Sequence, residues 1–187
     1  MHKPATPWAA GSTILVKFGG NAMSAEAEAA LFTEVATLRK AGVRVALVHG
    51  GGPQIDVELA ARGIVTDRIE GLRITDATTL AVTEAVLCGT INKRLVRALL
   101  AIDVPAVGIS GQDGGLLTCD RQLPAELGYV GTVRAVAPAA VLGLLDAGIV
   151  PVIAPLGVAA DFSTAYNVNA DEAAGAIAAG IKADALI

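Results

Sequence analysis

Three short aliphatic runs each stop at a glycine-rich turn, and this pattern limits the fold more than any other feature of the 187-residue chain. Ile14-Leu15-Val16-Lys17-Phe18 runs into Gly19-Gly20-Asn21. Val43-Arg44-Val45-Ala46-Leu47-Val48 runs into His49-Gly50-Gly51-Gly52, and Val104 to Ile109 ends at Ser110-Gly111. Unbroken β-branched and aliphatic stretches of this length read as strands buried on both faces, as in a parallel sheet. Helical spacing separates them. Leu31, Val35 and Leu38 mark a helix over Ser24 to Ala41 that stops at Gly42. Pro53 opens a second helix, which holds Ile55 and Leu59 and closes at Gly63. Strand, helix, strand, loop and helix in that order predict parallel pairing through right-handed crossovers.

The rest of the chain continues the alternation. Ile64 to Ile74 suits a small hairpin. Asp76 to Leu100 reads as one long helix, with Leu80, Thr83, Leu87, Ile91, Leu95 and Leu99 on a broad face. Gly114 to Val133 suits a β-hairpin excursion, Pro138 to Ala147 a helix, and Ile149 to Ala154 a fourth core strand. A further short hairpin leads to Asn167, Ala170 to Gly180 is a helix, and Ala183 to Ile187 begins another strand. A parallel strand feeds a loop and helix, so the expectation is that the chain is truncated here or that the remainder is supplied elsewhere. Residues 1–12 read as a flexible extension.

Composition excludes several classes. Hydrophobic residues make up 53% of the chain and charged residues 17%, the reverse of a disordered sequence. Fourteen Lys and Arg against eighteen Asp and Glu give a net charge of −4, with neither a basic footprint for nucleic acid nor a polybasic stripe for a membrane surface. Cys88 and Cys119 lie far apart without metal-type spacing, so no disulfide framework or zinc site is expected, and the setting reads as cytoplasmic. The apolar stretch from Ala135 to Ala160 contains Asp146 and is divided by Pro138, Gly148, Pro151 and Pro155. It reads as a buried helix followed by a buried strand, not a membrane span.

Ligands of an open parallel sheet bind beyond the carboxyl ends of its strands. Glycines there let backbone N–H groups approach an anion, and the helix N-terminus that follows favours negative charge. Lys17, at the end of the first strand, would add an ammonium to the same cleft. Neither GxxxxGK[ST] nor GxGxxG is present, which argues against a P-loop or dinucleotide site. His49-Gly50-Gly51-Gly52 is like an esterase oxyanion loop, but Gly108-Ile109-Ser110-Gly111-Gln112 lacks the last glycine of a nucleophile elbow. The only other histidine is His2, so a hydrolase is rejected. Asn169 is placed to cap the last helix, with Asp171 in its first turn. Arg73 is either a surface arginine or a guanidinium fork for a substrate carboxylate.

Taken in order, Val16-Lys17-Phe18-Gly19-Gly20, His49-Gly50-Gly51-Gly52-Pro53, Gly71-Leu72-Arg73-Ile74-Thr75, Gly89-Thr90-Ile91-Asn92-Lys93, Gly128-Tyr129-Val130-Gly131 and Asn167-Val168-Asn169-Ala170-Asp171 resemble the acetylglutamate branch of the amino acid kinase family. The resemblance runs from about Thr13 to Ile187. It implies an α/β fold: a three-layer αβα sandwich on a central, mainly parallel open sheet, with β-hairpin excursions over the substrate site. It also implies ATP-dependent phosphorylation of the γ-carboxylate of N-acetyl-L-glutamate, a step of arginine biosynthesis. Carrier-bound aminoadipate is the competing acceptor, and a non-catalytic binding or assembly module on the same fold is the alternative from another class.

By the same resemblance, Lys17 stabilises charge on the transferring phosphoryl group, and Gly19, Gly20 and Gly52 offer N–H groups to phosphate. Gly51 and Gly52 contact substrate, Arg73 holds its α-carboxylate, Asn167 binds it with Asn169 in support, and Asp171 orients Lys17. Mg²⁺ travels with ATP, without an all-protein metal site. Family members continue into a portion that carries most of the adenine-nucleotide site and a second phosphate-stabilising lysine. Lys182, at a helix end, does not replace it, so residues 13–187 read as the acceptor-binding part alone. A homo-oligomer, dimer or higher, is implied. Met1 to Ser12, with Pro4 and Pro7, does not read as the N-terminal helix through which some members form arginine-inhibited hexamers, and nothing in the chain supports a PII-type regulator.

Overall fold

The structure, a computed structural model, describes residues 7–19 and 24–187. Its centre is a five-stranded, wholly parallel sheet. The strands are β1 (Thr13–Phe18), β2 (Arg44–His49), β5 (Ala106–Ser110), β8 (Val150–Ala154) and β11 (Ala185–Leu186), in the order β11-β1-β2-β8-β5. Alternate residues feed two cores, as the two-residue period of a strand dictates. Ile14, Val16, Val45, Leu47 and Val152 point to one face. There they meet Phe32, Val35 and Leu38 of α1 (Ala25–Lys40), Ile55 and Leu59 of α2 (Gly52–Ala61), and Leu95 and Leu99 of α4 (Asn92–Leu100). Leu15, Ala46, Val48 and Ile153 point to the other face, against Val141 and Leu145 of α5 (Ala139–Asp146) and Ala173, Ala174 and Ile177 of α6 (Ala170–Gly180). Helices on both faces of a buried sheet give the three layers expected.

The long helix expected from Asp76 is continuous but not uniform. Asp76 caps α3 (Ala77–Glu84), its carboxylate accepting from Thr79 N at 2.7 Å. A π-helical stretch over Ala85–Ile91 then joins α3 to α4, with Asn92 N donating to Leu87 O five residues back. Leu87, Ile91 and Asn92 are all at most 2% exposed, and they face the ends of the central strands. Such wide turns cluster at functional sites. Hydrophobic spacing alone does not distinguish this register shift from an ordinary helix.

Two excursions leave the sheet. Strands β3 (Arg68–Ile69) and β4 (Leu72–Arg73) form a ribbon of two residues a side. The second excursion was legible only as two separate hairpins. In the structure β6 (Leu117–Arg121), β7 (Val130–Val136), β9 (Leu156–Val158) and β10 (Ala165–Val168) close together into a small barrel, ordered β10-β7-β6-β9. Gly128, at φ 74°, seals the barrel against the ribbon: Tyr129 N donates to Thr75 O at 2.7 Å, and any Cβ at Gly128 would strike that carbonyl.

The carboxyl end of the chain lies on the sheet, with Lys17 N donating to Ile187 O and Ile187 N to Leu15 O. At the other end, the expected extension falls partly outside the described residues (1–6), while Gly11 N donates to Gly42 O. No helix among the described residues is long and apolar enough to cross a membrane. The apolar stretch around Asp146 is α5 followed by β8.

Candidate active site

A cleft of about 230 Å³ opens beyond the carboxyl ends of β1, β2 and β8. It is lined by Lys17 from β1, Gly50 to Pro53 between β2 and α2, Pro155 after β8, Arg68, Gly71 and Arg73 from the ribbon, and Asn167, Asn169 and Asp171 around the start of α6. Of the residues singled out from sequence, Lys17, Gly51, Gly52, Arg73, Asn167, Asn169 and Asp171 share this one cavity. Gly19 is not in the lining but lies directly behind it. Gly50 N donates to Phe18 O at 2.8 Å, and a Cβ at Gly19 would sit 3.0 Å from Gly50 N, so the first two glycine turns pack against each other. Gly20 lies outside the described residues.

The third glycine turn does not join them. Strand β8 separates β5 from β2, so Pro155 occupies the place expected for Gly108 to Asp113. That turn borders a separate recess with Glu84, Cys88 and Lys93. There Asp113 Oδ2 accepts from Ser110 N at 2.6 Å and from Ser110 Oγ at 2.9 Å, a local turn geometry.

Two helix N-termini face the cleft, and they differ. Asn169 Oδ1 accepts from Asp171 N at 2.8 Å and from Glu172 N at 3.2 Å, so the first amides of α6 are satisfied by their own cap. Helix α2 starts from Gly51, which carries no side chain and makes no side-chain cap, and Pro53 preserves the helical start without an N–H. The open amides at this end are therefore those of Gly51 and Gly52, since Gly50 N is taken by Phe18 O. Gly51 is also required by packing, because a Cβ there would lie 2.7 Å from Leu87 Cδ2 and closer still to Ile91 Cδ1.

The charges are arranged in pairs. Lys17 Nζ lies 2.9 Å from Asp171 Oδ1. Arg73, only 5% exposed, has Nη1 at 2.5 Å from Asp56 Oδ1 and 3.1 Å from Thr66 Oγ1, and donates from Nη2 to Gly52 O at 3.3 Å. This is a buried, held guanidinium rather than the loose surface arginine that was the other reading. Asn167 Nδ2 donates to Thr75 Oγ1 at 3.3 Å, and Thr75 Oγ1 donates to Arg73 O at 2.8 Å, linking β10 to the ribbon.

His49 and Asn92 lie beneath the glycine turn, and no local pattern signals their contact. Both are essentially buried. Nδ1 of His49 is 2.9 Å from Gly50 O, an acceptor only, so Nδ1 carries the proton. Nε2 then accepts from Asn92 Nδ2 at 3.2 Å, and the same amide group reaches Val152 O at 2.9 Å. Burial pushes the His49 pKa down and outweighs the raising effect of Gly50 O, the Arg94 charge adds the smallest downward push, and the value falls from 6.5 to about 4. His49 is thus a neutral brace under the turn, neither nucleophile nor base.

Residues 12–187 match the model of the amino acid kinase family. The chain belongs to that family. It is 48% identical over 177 residues to the acetylglutamate kinase of Jannaschia sp., covering 94% of this chain and 61% of that protein. Among solved structures, smu.665 from Streptococcus mutans superposes with a TM-score of 0.84 at 25% identity, covering 93% of this chain and 70% of that one. An N-acetylglutamate synthase from Neisseria gonorrhoeae, solved with coenzyme A and N-acetyl-glutamate, gives a TM-score of 0.79 at 28% identity over 95% of this chain and 41% of its own. The amino acid kinase chain described here spans about three fifths of the length of the first curated relatives it matches.

Proposed function

We propose that this chain is the acceptor-binding part of a kinase that transfers the γ-phosphoryl group of ATP to the γ-carboxylate of N-acetyl-L-glutamate. The carrying observation is the single cleft in which the Lys17–Asp171 pair, the held Arg73 guanidinium and the open amides at the start of α2 converge. Likeness to acetylglutamate kinases over nearly the whole chain supports the choice of acceptor.

A carboxylate is already ionised at neutral pH and needs no general base, so the demand on the protein is placement and charge neutralisation. Arg73 would take the α-carboxylate, with Asn167 beside it, and leave the γ-carboxylate directed at Lys17. An acceptor oxygen would then bond to the γ-phosphorus as the bond to the bridging oxygen of ADP breaks. Lys17 and the amides of Gly51 and Gly52, with Gly19 behind them, would stabilise the charge on the phosphoryl oxygens. Asp171 would hold the Lys17 ammonium in place, and Asn169 would hold Asp171 through the helix start. Mg²⁺ would come with the nucleotide, bound to phosphate oxygens and water. We infer a cytoplasmic setting, which the two free cysteines, Cys88 and Cys119, fit. A homo-oligomer is part of the same proposal.

Calorimetric titration with N-acetyl-L-glutamate tests the reading. Saturable binding that Arg73→Ala abolishes is expected. Binding that survives that substitution intact would refute the assignment. ADP release with acetylglutamate, ATP and Mg²⁺ separates a complete kinase from a binding module.

A further inference from the structure

Arg68 and Arg73 are directly paired across the ribbon, in a sheet fragment only two residues long on each side. Like charges opposite one another on an antiparallel pair repel, and so short a ladder, extended only by Ile74 N donating to Asp67 O, offers little to resist them. The carboxylate that separates them comes from a different element. Asp56, one turn into α2, lies with Oδ1 2.5 Å from Arg73 Nη1 and Oδ2 3.0 Å from Arg68 Nη2. Arg68 also approaches Asp56 Oδ1, at 3.3 Å. One carboxylate thus binds both guanidiniums and ties the ribbon to the helix that carries the glycine turn.

The consequence for Arg73 follows from counting its donors. A guanidinium has five N–H bonds. Asp56 and Thr66 occupy Nη1, and Gly52 O takes one hydrogen of Nη2. Two N–H bonds, on Nε and Nη2, are left without a partner among the described residues. That is the number a carboxylate accepts in a bidentate contact. Partial burial pushes the Asp56 carboxyl up, but hydrogen bonding and charge from Arg73, then Arg68, outweigh it and hold it below the usual carboxylate range. The group is therefore a permanent anion at neutral pH.

We propose that Asp56 is a positioning residue: it locks the Arg68–Arg73 ribbon over the cleft and fixes the Arg73 guanidinium so that its free edge is presented to the substrate carboxylate. Asp56 touches no substrate itself, because it lies behind the guanidinium and is not part of the cleft lining. The proposal deepens the acceptor-site reading and rests on it only for the identity of the ligand.

The test is Asp56→Asn in the full 187-residue chain, with two readouts. In the ligand-free protein, slow rotation of the Arg73 guanidinium, seen by NMR at its Nε and Nη groups, is expected to become fast. In titrations with N-acetyl-L-glutamate, affinity is expected to fall about ten-fold or more, from lost preorganisation. Asp56→Glu, which keeps the charge, is expected to recover much of both effects, and the melting temperature reports folding of each variant. Unchanged Arg73 rotation in the Asn variant overturns the proposal, as does equal behaviour of the Asn and Glu variants, or tighter binding on loss of the charge. Failure of the acceptor-site reading looks different: the wild-type chain then binds no acetylglutamate, while the rotation experiment still decides the role of Asp56.

Discussion

Lowering the pH from 7 to 5 tests the buried imidazole under the glycine turn. In the folded chain His49 titrates at about 4, and its ordinary value is 6.5. Between these values the unfolded chain binds the proton and the folded chain does not. Stability therefore rises with pH through this window and is lost as pH falls from about 6.5 towards 4. The full difference of about 2.5 pKa units corresponds to about 3 kcal/mol, and the part lost between pH 7 and pH 5 is about 2 kcal/mol. The carboxylates with lowered values, Asp56, Asp76 and Asp161, change stability in the same direction, but below the upper half of this range. Urea unfolding at a series of pH values measures the slope, and two-dimensional NMR of the imidazole carbons and nitrogens follows the residue itself. The expected spectrum is a neutral ring protonated on Nδ1, as the carbonyl of Gly50 requires, that stays neutral down to about pH 5. A His49 midpoint near 6.5 in the folded protein, or a ring protonated on Nε2, would refute both the burial argument and the brace that it supports.

Two further outcomes follow from the site. Lys17→Ala is expected to lower kcat about 100-fold or more, roughly 3 kcal/mol of transition-state stabilisation, in an ADP-release assay of an active form. Because the Lys17–Asp171 pair is largely solvated on the Asp171 side, the same change is expected to alter unfolding free energy by less than about 1 kcal/mol. Gly51→Ala places a methyl group against Leu87 and Ile91 and is expected to destabilise the chain by about 1–3 kcal/mol, read by denaturant unfolding. Unaltered stability there would mean that the π-helical segment yields freely.

Much of this architecture could be read along the chain because its determinants are local. The aliphatic runs of β1, β2 and β8 announce buried strands, and that of β5 announces a strand which lies at the sheet edge with Val107 exposed. Gly42 and Gly63 announce helix ends, and both glycines adopt the positive φ that glycine tolerates. Asn169 capping α6 is equally local. The site was legible in part for the same reason, since Lys17 and the glycine turn lie at strand ends, where the topology of a parallel sheet places ligands.

What stayed illegible depends on strand order and on distant partners. No local pattern says that β8 lies between β2 and β5, yet that one fact removes the third glycine turn from the cleft and puts Pro155 there. Nor does Asp56, on the outer turns of an ordinary helix, announce that it serves two arginines of the ribbon, or His49 that Asn92 will meet it. The chain alone determined the strands, the turns and the chemical types available for binding an anion. Packing decided which of those groups meet, because an ion pair or a buried hydrogen bond depends on distances that only the assembled sheet and its covering helices set.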